Sequence, residues 1–244
     1  VHFPVNMKFH AKHVKVLVAL LKEFMDHVII RFQRHSMEIS GVDSERVVFV
    51  QATSQALEVE LDTLAVGAPL LDIYKFVRGC SETETIQLGV EHNKILTGTL
   101  INDERKTWYR FPYTFVPMDI VTLTFPEKGT TVAIPTRLIR KALKEIVHSQ
   151  LFIIFQLEPT KGLTLSTWTK HGSGGGKTTF SNTLTSYVYH QRFLSKYIVK
   201  FARMVTGSEM VFQFPLELDQ PLVIRSTVAE TTTIQMAICP YTEE

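Results

Sequence analysis

Apolar positions along this chain follow two periods, and the period changes from segment to segment. Val14, Leu17, Val18, Leu21 and Phe24 recur three and four residues apart. That interval lines one face of a helix, so a helix is predicted over 12–25. Short β-branched and aromatic runs follow at 28–34, 37–40, 46–53 and 57–61 and read as strands, after a first short strand at 7–11. Helical spacing returns after Pro69, a residue suited to the first turn of a helix, and stops at Gly79. Three more strands are expected at 84–90, 94–100 and 106–111, the first two joined by a turn at Glu91-His92-Asn93.

The pattern breaks between Pro112 and Gly129. This stretch holds Pro112, Pro117 and Pro126 yet is apolar, with Phe115, Val116, Met118, Ile120, Val121 and Leu123 close together. It reads as an ordered linker. A strand at 132–135 then leads into a helix over 136–147 and strands at 151–157, 163–169, 177–183 and 185–189. A fourth helix over 190–205 is closed by Gly207, and strands at 210–214, 222–226 and 232–238 follow. Two domains are expected, 7–112 and 131–244, joined by a linker at 113–130. Each runs strand, helix, strands, helix, strands. That order fits antiparallel sheets with helices on one face, an α+β fold. Two sequence echoes point to duplication. Lys75-Phe76-Val77-Arg78 returns as Lys200-Phe201-Ala202-Arg203 at an offset of 125, and Leu21-Lys22-Glu23-Phe24 returns as Leu143-Lys144-Glu145-Ile146 at an offset of 122.

Net charge is only +2, but its distribution changes the picture. The four predicted helices hold Lys12, Lys15, Lys22, Lys75, Arg78, Arg137, Arg140, Lys141, Lys144, Arg192, Lys196, Lys200 and Arg203, 13 of the 26 basic residues. Only Glu23, Asp26, Asp72 and Glu145, four of the 24 acids, lie on or beside them, so the helices carry +9 and the rest of the chain −7. Arg192, Lys196, Lys200 and Arg203 are spaced 4, 4 and 3, which places them on one helical stripe. A solvated face would explain one such helix. Four biased the same way, in a chain otherwise net acidic, point to nucleic acid. Cations without interleaved Asn or Gln readers would neutralise phosphates and read no bases, so the expected partner is duplex DNA of any sequence.

Other chemistry finds little support. Gly172-Ser173-Gly174-Gly175-Gly176-Lys177-Thr178 resembles a phosphate-binding loop, but the required first glycine is His171, and a strand-like run follows where a helix is needed. His10 and His13 have no third ligand nearby, and Cys80 and Cys239 stand apart. No metal or cofactor is expected. Asp43 suits a turn better than a catalytic base. Two cysteines in 244 residues do not form a secreted disulfide framework, which favours a reducing compartment. No apolar run nears the roughly 20 residues of a bilayer span, so no membrane partner is expected.

Several segments resemble sliding clamps of the proliferating cell nuclear antigen type. They are Ser40-Gly41-Val42-Asp43-Ser44-Glu45-Arg46-Val47-Val48-Phe49-Val50, Val132-Ala133-Ile134-Pro135, the basic fourth helix, Asp219-Gln220-Pro221-Leu222-Val223-Ile224, and Ala237-Ile238-Cys239-Pro240-Tyr241-Thr242-Glu243-Glu244. The chain departs from eukaryotic clamps in its lack of overall acidity and in its glycine-rich loop, as a viral or specialised member would. The resemblance implies a ring of three two-domain chains, with helices lining the hole and sheets outside. Such a ring encircles duplex DNA and tethers polymerases and other replication and repair proteins, without catalysis, in the nucleus or a viral replication compartment. By the same resemblance, partner peptides would dock on Val42, Val47, Met118, Ile120, Val121, Leu123, Pro221, Cys239 and Pro240. Subunits would join through Lys106, Trp108, Tyr109, Arg110 and Phe111 of one copy and Lys177, Thr179 and Phe180 of the next. Three alternatives stay open: a monomeric or dimeric herpesvirus-type processivity factor, a checkpoint-clamp subunit, and a DNA-modifying or nucleotide-dependent enzyme using the basic helices as a track.

Overall fold

Two prolines and a run of alternating strands decide most of the local structure. The computed structural model describes residues 5–60, 64–91, 95–101, 106–115, 125, 129–147, 151–167, 175–181, 185–229 and 232–242. The first half of the chain runs β1 (Val5–His10), α1 (Ala11–Leu21), β2 (His27–Gln33), β3 (Ser36–Val42), β4 (Val48–Gln55), β5 (Glu58–Glu60) and β6 (Leu64–Pro69). It continues with α2 (Leu70–Arg78), β7 (Thr85–Glu91), β8 (Ile95–Ile101), β9 (Lys106–Pro112) and β10 (Thr114–Phe115). The second half runs β11 (Gly129–Pro135), α3 (Thr136–Ile146), β12 (Phe152–Glu158), β13 (Gly162–Thr167) and β14 (Lys177–Phe180). It ends with β15 (Tyr189–Leu194), α4 (Ser195–Met204), β16 (Glu209–Pro215), β17 (Leu222–Ala229) and β18 (Thr232–Ile238). The chain divides into two compact units, Val1–Leu123 with Val228–Ile234, and Thr124–Thr227 with Gln235–Glu244.

In the first unit the strands pair antiparallel in two runs, β5-β1-β7-β8-β9 and β10-β6-β2-β3-β4. β4 buries every second residue, as a strand with one core face must. α1 and α2 lie side by side and bury Val14, Leu17, Val18, Leu21, Ile73, Phe76 and Val77. Each large apolar side chain so placed contributes about 1.5–3 kcal/mol of transfer free energy. Gly79 ends α2, as the sequence predicts, but Pro69 is the extended last residue of β6 rather than part of the helix's first turn. The Thr232 hydroxyl lies 3.1 Å from that of Ser54 in the buried interior.

The second unit pairs β14-β13-β12-β15 in one run and β11-β16-β17 in another, with α3 beside α4. Its core is aromatic: Phe155 meets Phe193 edge-on at 5.6 Å and Phe212 at 5.7 Å. Pro135 precedes α3 as Pro69 precedes α2.

The repeat is exact in chain position. α1 and α3 begin at Ala11 and Thr136, α2 and α4 at Leu70 and Ser195, and the first strand of each set ends at His10 and Pro135. All three spacings equal the 125 of the Lys-Phe-x-Arg echo. The echo at 122 is therefore coincidental, because it sits three residues out of structural register. The true counterpart of buried Leu21 is buried Ile146.

Other differences from the predicted elements come from a local turn in one case and from strand pairing in the others. α1 stops at Leu21 because Glu23 and Phe24 turn back to the carbonyls of Leu20 and Leu21, three residues earlier. β6 was not predicted: Leu64-Ala65-Val66-Gly67-Ala68-Pro69 is small and ends in proline, and its pairing with β2 and β10 makes it a strand. Residues 190–194, predicted as the start of the fourth helix, are strand β15 because they pair with Phe152–Gln156. Tertiary pairing overrides helical spacing there. The predicted turn at 92–93 lies outside the described residues.

Candidate nucleic-acid interface

The helix cations differ in exposure and in what they touch. On α3, Ile139, Ala142, Leu143 and Ile146 are buried, while Arg137, Lys141 and Lys144 are exposed. On α4, Tyr197, Ile198, Phe201 and Ala202 are buried and Lys196 and Arg203 are exposed, with Lys200 half-exposed. On α1 and α2 the exposed cations are Lys12, Lys75 and Arg78, with Lys22 exposed at the residue that ends α1. Two of these have acidic neighbours on their own helix, Lys75 with Asp72 at 3.4 Å and Lys141 with Glu145 at 3.9 Å. Such exposed pairs hold weakly and leave the cations available.

Three predicted cations have other work. Arg192 is on β15 rather than on a helix, and its guanidinium lies 5.9 Å from the Phe152 ring and 5.8 Å from the Tyr241 ring. Its carbonyl accepts the Tyr241 N–H at 2.7 Å, so it pins the C-terminal segment and is not part of the α4 stripe. Arg140 reaches across to the end of α4. Its Nε donates to the Ala202 carbonyl at 2.7 Å, and Nη2 donates to the carbonyls of Arg203 (3.2 Å) and Val205. Lys15 makes the equivalent contact in the first unit, donating from Nζ to the Cys80 carbonyl at 3.0 Å. Lys15 and Arg140 are 125 apart, and so are Cys80 and Val205. In each unit the first helix supplies a cation that neutralises the negative carbonyl end of the second.

Cys80 itself is buried, and burial, with the Glu84 charge adding and Lys15 opposing, raises its thiol to about 11. Cys239 is exposed. The expected labelling with a thiol reagent at neutral pH is one fast site, lost in Cys239→Ser, and one site seen only after denaturation. Two fast sites in the native protein would contradict this packing.

An apolar hollow of about 450 Å³ opens in the first unit beside Val42, lined also by His27, Ile29, Phe49, Pro69 and Tyr113. Val42 is 44% exposed at its rim. The loop after it is held by Asp43, whose carboxylate accepts the N–H groups of Val47 (2.8 Å), Val48 (2.7 Å) and Glu45 (3.3 Å). Arg46 takes a positive φ of 56° in that turn. Asp43 is a turn organiser, as its sequence context suggested. Asp43→Ala should cost about 1–3 kcal/mol, the penalty for orphaning buried donors, read as a lower midpoint in urea. An unchanged midpoint would show that the loop holds itself. Of the other expected docking residues, Val47 is half-buried in this loop, and Pro221, Cys239 and Pro240 belong to the second unit. Met118, Ile120, Val121 and Leu123 lie outside the described residues. Ile29, Phe49 and Tyr113 were not anticipated, since nothing in their spacing separates a hollow from a core.

β9 and β14 are both edge strands. On β9, Trp108 is 67% exposed, while Tyr109 packs on Phe76 at 4.6 Å and Phe111 is buried against the same ring at 5.5 Å. Phe111 therefore belongs to the core rather than to an outer surface. Arg110 is exposed, and Lys106 opens the strand opposite Ile101. On β14, Lys177 and Thr179 are exposed, Phe180 is half-buried, and the Thr179 and Thr164 hydroxyls are 3.0 Å apart.

No protein-family model matches the chain, and no curated protein matches it. Solved structures do. The chain aligns with a structure of the PCNA2–PCNA3 complex from Sulfolobus tokodaii at 19% identity and a TM-score of 0.79, covering 98% of this chain and 100% of that one. It aligns with PCNA from Thermococcus kodakaraensis at 17% identity and a TM-score of 0.80, with the same coverage. The fold is that of the PCNA clamps: α+β, with antiparallel sheets and, among the described residues, two helices in each half.

Proposed function

We propose that the chain is a DNA sliding clamp, a non-catalytic processivity factor. Three copies join head to tail through β9 of one and β14 of the next, and the exposed cations of both helix pairs contact duplex DNA. The hollow beside Val42, with the linker and C-terminal residues named above, holds peptides of polymerases and other replication and repair proteins. The proposed place of action is the nucleus or a viral replication compartment. The observation that carries the reading is the repeated pair of amphipathic helices with exposed cations, on a fold shared with PCNA over nearly the whole chain. Exposed Lys and Arg without base-reading partners suit a protein that must move along any sequence. β9 and β14 each end a run of paired strands among the described residues, edge strands are templates for association, and a head-to-tail contact closes into a ring when the rotation per copy fits.

The complex from Sulfolobus tokodaii contains PCNA2 and PCNA3, which favours a mixed ring as the second reading. Molar mass measured across protein concentrations separates the two. The homotrimer predicts three times 27.8 kDa. A chain that stays monomeric at every concentration overturns the homotrimer and favours a subunit that closes only with a different one.

A further inference from the structure

The two helix pairs are alike in backbone and unlike between the helices. In the second unit a cleft of about 430 Å³ opens between α3 and α4, with Arg140, Lys144 and Arg203 around it and Val147, Val199 and Ala202 among its walls. Moving back by the repeat of 125 puts Lys15, Ala19 and Arg78 in place of the cations, and Lys22, Tyr74 and Val77 in place of the walls. A valine wall has become a tyrosine. Lys22 lies over that ring, its Nζ 4.0 Å from the centroid. The position of Lys144 has become alanine. In the first unit, then, an aromatic side chain stands at the position of Val199, and a lysine is laid on its ring.

We infer that the α3–α4 cleft is a seat for a single phosphodiester of the nucleic-acid backbone, and that the α1–α2 pair has no such seat. The inference rests on the DNA-clamp reading and makes its two halves unequal. Three features support it. Two of the cations, Lys144 and Arg203, are exposed and have no acidic partner among the described residues. The carbonyl end of α4, which would repel an anion, is covered by Arg140 through three hydrogen bonds. The walls are apolar, so a phosphate entering the cleft meets its cations with less competing water than on an open helix face.

The test closes the cleft without removing charge. Val199→Tyr copies the first unit, and Lys144→Ala removes one cation. The reciprocal Tyr74→Val opens the first unit's pair. Binding of a short linear duplex is measured over a range of salt for each variant, with folding checked by circular dichroism. Lys144→Ala and Val199→Tyr are each expected to weaken binding about tenfold, the loss of one charge-assisted hydrogen bond. Each should lower the log–log salt slope by about 0.9, while Tyr74→Val leaves both quantities unchanged. If Lys144→Ala weakens binding and a folded Val199→Tyr does not, the cation acts on an open face and the seat is wrong, while the DNA reading stands. If Val199→Tyr fails to fold, Lys144→Ala against Arg78→Ala decides: equal losses overturn the asymmetry, and a severalfold larger loss at Lys144 supports it. If the unmodified protein binds no duplex even at low salt, the DNA reading fails, and if it binds and no variant changes that binding, the seat alone fails. Inorganic tripolyphosphate is the control for source. A Lys144-dependent affinity for it, with DNA binding unaffected, would make the cleft a free-phosphate site and overturn the inference.

Discussion

A proline placed on the edge of β9 should convert the assembled protein into folded monomers. Trp108 and Tyr109 are neighbours on that strand, so one N–H points toward β8 and the other away from it. Proline removes the donor and is tolerated on an edge strand only where the donor faces outward. Trp108→Pro and Tyr109→Pro thus form a matched pair. One should lose ladder pairing with β8 and some stability. The other should keep its fold, judged by circular dichroism, and lose the trimer in light scattering at micromolar concentration. Thr178→Pro and Thr179→Pro on β14 provide the same pair at the other edge. Folded trimers in all four variants would rule out strand pairing as the subunit contact.

Arg140→Ala is expected to produce the largest loss of stability among the helix cations. Exposed Lys141 and Lys144 can be truncated for a few tenths of a kcal/mol, as most surface charges can. Arg140 serves three carbonyls at the end of α4, and their loss should cost about 2 kcal/mol after allowance for solvent. For a chain of this size that is a fall of roughly 4–8 °C in Tm. Arg140→Lys should recover part of it, because Lys15 holds the equivalent carbonyl with an ammonium. A melting temperature unchanged in Arg140→Ala would return this residue to the DNA-facing set and remove its structural role.

The strand and helix order was largely legible because its signals are local. Pro69 and Pro135 mark helix starts, Gly79 marks an end, and α3 and α4 carry strongly one-sided apolar faces. What failed depended on pairing. Arg192, Lys196 and Lys200 satisfy helical spacing perfectly well, and only the ladder to β12 makes Arg192 a strand residue. β6 carries small side chains that signal nothing until β2 and β10 flank it. The charge on the helices was visible in composition, but its division was not. A lysine that faces solvent and one that reaches a neighbouring helix look the same in sequence. The repeat offset of 125 could have exposed the pairing of Lys15 with Arg140, had the second echo not blurred it to 122.

Topological capture on DNA tests the clamp reading most directly. The protein is allowed to thread onto a linear duplex with free ends, the ends are then blocked with a bulky protein, and the salt is raised. A ring that encloses the duplex stays on blocked DNA and slides off unblocked DNA, although its salt-sensitive phosphate contacts are broken in both. Equal and rapid loss from blocked and unblocked DNA would mean that the protein binds by charge alone, and would contradict the sliding clamp.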